Sequence, residues 1–144
     1  MKKETVLSVH VMIDRNFEVK SEAGSANMIL FHGTAESDYF KGVILPGGVD
    51  TQSQWFINEG NTQNPAQDGA WRLSARYLLE GTDMEGQPCR IFIENNGSFE
   101  NGEIVTRPRI LTDSKALAWM ERADLEGRVI GEADGICIEF VRKL

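Results

Sequence analysis

Trp71-Arg72-Leu73-Ser74-Ala75-Arg76-Tyr77-Leu78-Leu79-Glu80 alternates along its whole length. Trp71, Leu73, Ala75, Tyr77 and Leu79 share one face of an extended chain, and Arg72, Ser74, Arg76, Leu78 and Glu80 share the other. A period of two is the mark of a strand with one face buried. The same texture recurs on either side. Residues 5–13 set Leu7, Val9, Val11 and Ile13 against Ser8, His10 and Met12, and residues 27–34 are nearly all apolar, as in a strand covered on both faces. Residues 39–45, 53–57, 89–94, 104–110 and 135–141 continue the series. Gly24, Pro46-Gly47-Gly48, Gly60, Gly69, Gly86, Asn96-Gly97 and Gly102 punctuate it as turns.

Short strands at regular spacing predict an all-β chain. At 144 residues it forms a single domain, 1–144, that buries about two-thirds of its unfolded surface. A chain of this size closes best as an antiparallel β-barrel of about 8–10 strands, whose interior is filled by side chains or holds one small ligand. One short helix is expected in the C-terminal half, residues 113–122, capped by Thr112 or Asp113 and carrying an apolar stripe of Leu117, Trp119 and Met120. Residues 58–68, crowded with Asn, Gln, Gly and Pro, read as a mobile loop.

Fifteen basic and twenty-two acidic residues leave a net charge of -7. An acidic surface without a Lys/Arg run repels phosphate backbones and anionic bilayers, so neither nucleic acid nor membrane is an expected partner. The apolar run at residues 5–13 is interrupted by Ser8 and His10 and is better read as a strand than as a leader. Cys89 and Cys137 lie in strand-like sequence without motif spacing and read as buried free thiols. These features together point to a cytoplasmic protein.

Candidate chemistry gathers where strands end. Pro46 cannot donate to a ladder and Gly47-Gly48 admit unusual backbone angles, so the chain is expected to bulge there and re-aim Asp50. The bland reading of Asp50 is an Asx turn closing on its own backbone. Arg76 lies opposite the apolar set of its strand; outside the barrel it is solvated, and inside a polar lumen it requires Asp50 or Glu94 as partner. Glu94, near the end of an apolar strand, is the third candidate for proton transfer. Asn96, Tyr77, Gly48 and His32 complete the set as ligand-binding candidates, although Asn96 also suits a turn with Gly97 and His32 also suits a satisfied rim position. Two His and two Cys without ligand spacing predict no metal site. Gly-rich segments without a following helix predict no nucleotide or other cofactor.

These pieces, taken in order, resemble the bacterial "domain of unknown function 3237" family, also called uncharacterised protein family 0311. The carriers are Gly42-Val43-Ile44-Leu45-Pro46-Gly47-Gly48-Val49-Asp50, Leu73-Ser74-Ala75-Arg76-Tyr77, Ile93-Glu94-Asn95-Asn96-Gly97, Arg107-Pro108 and Leu117-Ala118-Trp119-Met120. The resemblance implies a compact antiparallel β-barrel and no settled reaction. Similar proteins tend to carry Asp where this chain has Ser74, and residues 81–88 depart from their usual Asp-Asp-Gly hairpin.

Two functions remain open on this reading. In the first, the barrel binds a small organic molecule and performs cofactor-free acid–base chemistry of the isomerase, cyclase or lyase type. Asp50 or Glu94 then moves the proton, Arg76 stabilises developing charge, and Tyr77 or Asn96 orients the ligand. In the second, the chain is a non-catalytic homodimer formed through a barrel face, with Trp55 and Phe56 as available apolar surface.

Overall fold

Among the described residues, alternation turns into nine strands: β1 (Lys3–Ser21), β2 (Gly24–Glu36), β3 (Phe40–Ile44), β4 (Val49–Trp55), β5 (Trp71–Asp83), β6 (Pro88–Glu100), β7 (Glu103–Thr112), β8 (Leu125–Glu132) and β9 (Gly135–Lys143). This is a computed structural model, and it describes residues 2–56 and 69–144; the loop expected at residues 58–68 lies outside the described residues. Every pairing is antiparallel, and β1 meets both β9 and β2, so the sheet closes on itself.

The ring has eight staves although there are nine strands, because β3 and β4 occupy the same position in series. β2 pairs with β3 at residues 34–36 and with β4 at residues 24–30, and β5 likewise pairs with β3 near Leu79 and with β4 below Arg76. From Ile44 to Val49 the chain advances five residues while its partners on β5, Leu79 and Arg76, are three apart. The two surplus residues form the bulge expected at Pro46-Gly47-Gly48, with Gly47 at φ 108°. Two is an even number, so Ile44 and Asp50 keep the same facing.

One half of the cylinder is packed solid. Leu7, Val9, Phe40, Leu79, Ile91, Ile93 and Phe140 are at most 1% exposed, and each such side chain contributes about 1.5–3 kcal/mol relative to exposure. Leu117 and Met120 cap this half from a single 3-10 turn, Ala118–Glu121, which is all that forms of the helix expected at residues 113–122. The residues at its start also bond to neighbouring strands. Asp113 Oδ1 accepts the Arg90 amide at 2.8 Å, Thr112 Oγ1 donates to the Arg90 carbonyl at 2.8 Å, and Ser114 Oγ donates to Asp83 Oδ2 at 2.8 Å. The turn keeps local caps as well: Thr112 Oγ1 accepts the Ser114 amide at 3.1 Å and Ser114 Oγ accepts the Leu117 amide at 3.2 Å, and the chain leaves for β8 after one turn.

Two further differences have plain causes. Asn96-Gly97 is not a turn: β6 runs straight through it, and the reversal comes at Asn101 (φ 51°) and Gly102 (φ 80°), the two positive angles of a tight hairpin. Gly97 is needed for close approach instead, since a Cβ there would lie 2.5 Å from the Val105 carbonyl oxygen. β8 pairs with β9 along its length yet escapes the pattern reading, because Gly127, Arg128 and Gly131 interrupt its alternation.

Candidate functional site

The other half of the barrel has a polar inner wall. Tyr77 and Ile93 are buried, at 5% and 0% exposure, and two residues away on the same faces stand Ala75 and Asn95. Ladder register then sets a row across five strands: Ile29 opposite Asp50, Asp50 opposite Ala75, Ala75 opposite Asn95, and Asn95 opposite Pro108. Asp50 and Asn95 therefore flank Ala75 from the adjoining strands, roughly 10 Å apart at the backbone. Ala75 is the smallest side chain of this row, and the buried Tyr77 comes next inward on the same strand. The next row outward holds Asn27, Gln52, Leu73, Gly97 and Thr106.

Electrostatics around Asp50 follow from desolvation. Burial lifts the Asp50 carboxyl above the ordinary carboxylate range, and the Gln52 Nε2–H donated to its Oδ2 at 3.2 Å only partly opposes this. Burial, and then the charge of Asp50, push the Tyr77 phenol upward, so it stays a hydroxyl donor at neutral pH. The Tyr77 ring is fixed by an edge contact with Phe31, centroids 5.5 Å apart. Its hydroxyl nonetheless has no hydrogen-bond partner among the described residues, nor do the buried Asn27 Oδ1, Asn95 Oδ1 and Thr106 Oγ1. Each such group costs about 1–3 kcal/mol unless something satisfies it. All four belong to inward-facing positions, on β2, β5, β6 and β7.

The sequence candidates divide between the two faces of the sheet. Asp50 and Tyr77 share the inner wall. Gly48 lies beside them as a packing position: a Cβ there would come within 3.0 Å of the Phe31 ring. Arg76 and Glu94 do pair, Nε to Oε2 at 3.4 Å, but on the outer face, with the Arg76 side chain 63% exposed. Arg109 is the stronger partner of Glu94, with Nη2 2.6 Å from Oε1. That bond, followed by the Asn96 Nδ2–H donated at 3.0 Å, holds the Glu94 carboxyl below its usual range. Asn96 is on this outer face too and accepts the Ser74 hydroxyl at 2.7 Å. His32 is outside the barrel, 56% exposed and bound to Asp14 Oδ1 at 2.5 Å. The strand wall thus separates Asp50 from Arg76, Glu94, Asn96 and His32, because odd and even positions along a strand cannot face the same way.

Sequence reasoning missed Asn95, Gln52 and Asn27. Asn95 was hidden by its neighbour: the Asn96-Gly97 turn signal drew the strand's end forward, whereas parity with Ile91 and Ile93 points Asn95 inward. Among the described residues no helix is long and apolar enough to cross a membrane.

Comparison with known proteins agrees with this architecture. The UPF0311 protein of Clostridium acetobutylicum is 30% identical over 100 residues, which are 67% of this chain and 54% of that protein; the chain spans about half the length of this curated relative. The crystal structure of a protein of unknown function from the same organism superimposes with a TM-score of 0.76 at 23% identity, covering 100% of both chains. An enzyme from Penicillium herquei superimposes with a TM-score of 0.70 at 15% identity, over 98% of this chain and 92% of that one. At such identities the structures share a fold. Residues 1–105 match the family model described as "Protein of unknown function (DUF3237)", and the chain belongs to that family.

Proposed function

We propose that the barrel binds a small organic molecule over Ala75 and that Asp50 exchanges a proton with it. The observation that carries this reading is a carboxyl lifted by burial beside two buried, unpartnered polar groups, the Tyr77 hydroxyl and Asn95 Oδ1. A carboxyl of raised pKa is a better base when ionised and is more readily reprotonated near neutrality. Tyr77, held as a hydroxyl, donates to charge that develops on a ligand oxygen, the role that Arg76 was expected to fill. Asp50 removes a proton from one position of the molecule and returns it to another or to the departing group. Isomerisation, cyclisation and elimination all balance in this way without an oxidant or reductant. The structural likeness to an enzyme from Penicillium herquei is compatible with a catalytic role.

Mass spectrometry of small molecules released on denaturing the purified protein tests this. The wild type is expected to carry over a compound from the cell that Asp50→Asn and Tyr77→Phe lose and that Arg76→Ala keeps. Identical retention by all four proteins, or no compound from any, counts against the inner-wall site.

An exposed apolar row supports the second reading, a homodimer. Leu78, Phe92 and Leu111 lie opposite one another on the outer face, and Leu78 and Leu111 are 39% and 63% exposed. Trp55 and Phe56, the surface named from sequence, are 44% and 42% exposed. On this reading Leu111→Glu converts a dimer to a monomer in light scattering, and a monomeric wild type rejects it.

A further inference from the structure

Two histidines and two cysteines without ligand spacing predict no metal site, yet closure of the barrel brings one of each together. His10 on β1 lies directly opposite Cys137 on β9. Glu132 reaches them from β8 and Glu36 from β2, so four neighbouring staves supply the cluster. Glu132 Oε1 is 3.0 Å from His10 Nδ1, and Glu36 Oε1 is 2.9 Å from Nε2. Ligand atoms of His10, Glu132 and Cys137 all lie within 4.8 Å of one another.

We propose that His10, Glu132 and Cys137 bind a zinc-class divalent cation on the outer wall, with Glu36 orienting the imidazole. Nitrogen, sulfur and carboxylate oxygen are the donor set that such a borderline-soft ion takes. Bonds of roughly 2.0–2.3 Å in a tetrahedral shell place ligand atoms roughly 3.3–3.8 Å apart. The His10–Glu132 contact is already shorter than that, and the widest separation closes by about 1 Å through rotation of the part-exposed Glu132 and His10 side chains. If Nδ1 takes the metal in place of its contact with Glu132, Nε2–H remains donated to Glu36. This is the carboxylate–histidine arrangement that fixes the tautomer and raises ligand basicity.

The alternative occupant is a proton. An imidazolium bridging Glu36 and Glu132 accounts for both short contacts but leaves the buried Cys137 thiol, 7% exposed, with no role beneath those carboxylates. A thiolate ligand gives it one, and a dication offsets part of the negative charge collected there by Glu36, Glu132 and Glu139, the last of which also faces Cys137.

Titration of the untagged, reduced protein with zinc chloride by calorimetry decides between them. One ion per chain is expected, with affinity at least tenfold lower in Cys137→Ser and His10→Gln, and about 10–100-fold lower in Glu36→Gln. Cobalt(II) added to the wild type is expected to show a thiolate-to-metal absorption band that Cys137→Ser lacks and Cys89→Ser keeps, which assigns the sulfur ligand. Zinc binding that survives Cys137→Ser and His10→Gln unchanged, no binding by the wild type, or a cobalt spectrum without the thiolate band overturns the proposal.

Discussion

Asp50 places a carboxyl where burial resists its charge. Its carboxyl is lifted by burial, so ionising it costs the folded state more than the unfolded one, and that penalty is absent below the usual carboxylate value of 3.8. Asp50→Asn is therefore expected to melt higher than wild type at neutral pH, with the gain fading as the pH falls toward that range; calorimetry at several pH values checks it. A stabilising substitution that also abolishes ligand retention marks a site kept for use rather than for stability. Thr106→Val keeps the shape and removes an unpartnered hydroxyl, and is expected to be neutral or stabilising, by at most about 1 kcal/mol, in urea unfolding. Parity in the sequence placed Arg76 and Tyr77 on opposite faces, and that much of the site was legible. Which face is the lumen was not, because side-chain alternation is symmetric until the sheet curls. Asp50 and Asn95 meet across Ala75 only through register, which no local pattern encodes.

The hairpin from β5 to β6 is fastened by one carboxylate. Asp83 Oδ1 accepts the amides of Glu85 and Gln87 at 2.9 and 3.0 Å, and Oδ2 accepts the Ser114 hydroxyl. The Gln87 amide and then the Ser114 hydroxyl hold Asp83 below its ordinary value of 3.8. A depressed carboxylate contributes stability that is fully present above the unfolded value and is lost as the pH falls through the folded one. Asp83→Asn is expected to lower the melting temperature at neutral pH, and the gap to wild type narrows below pH 3.8. The same Ser114 hydroxyl accepts the Leu117 amide at 3.2 Å, so the network ties the 3-10 turn to the hairpin. Elements of strong alternation, such as β5, were legible to within a few residues. β8 and the 3-10 turn were not, because their form follows from partners far along the chain.

Closure makes the molecule's stability a property of the ring. Leu79, with 0% exposure in the packed half, is expected to cost about 2–5 kcal/mol when replaced by Ala, measured by denaturant unfolding. The joint between β7 and β8 is the weak seam: among the described residues Thr106–Gly127 is the one ladder pair there, and Pro108 offers no amide to extend it. Amides of β7 that face this seam are expected to exchange hydrogen sooner than those shared with β6. The stave spliced from β3 and β4 has a different consequence. Gly47, at the splice, has open space around it, with nothing within 4 Å of where a Cβ would be. The upper piece is sewn into the solid end and the lower piece bears the acid, so residues added at the join extend the rim while the ladder pairs of Asp50 with Ile29 and Ala75 hold the acid in place. That makes Gly47 a natural graft point, where evolution or an engineer can retune the mouth of the cylinder while its floor stays untouched.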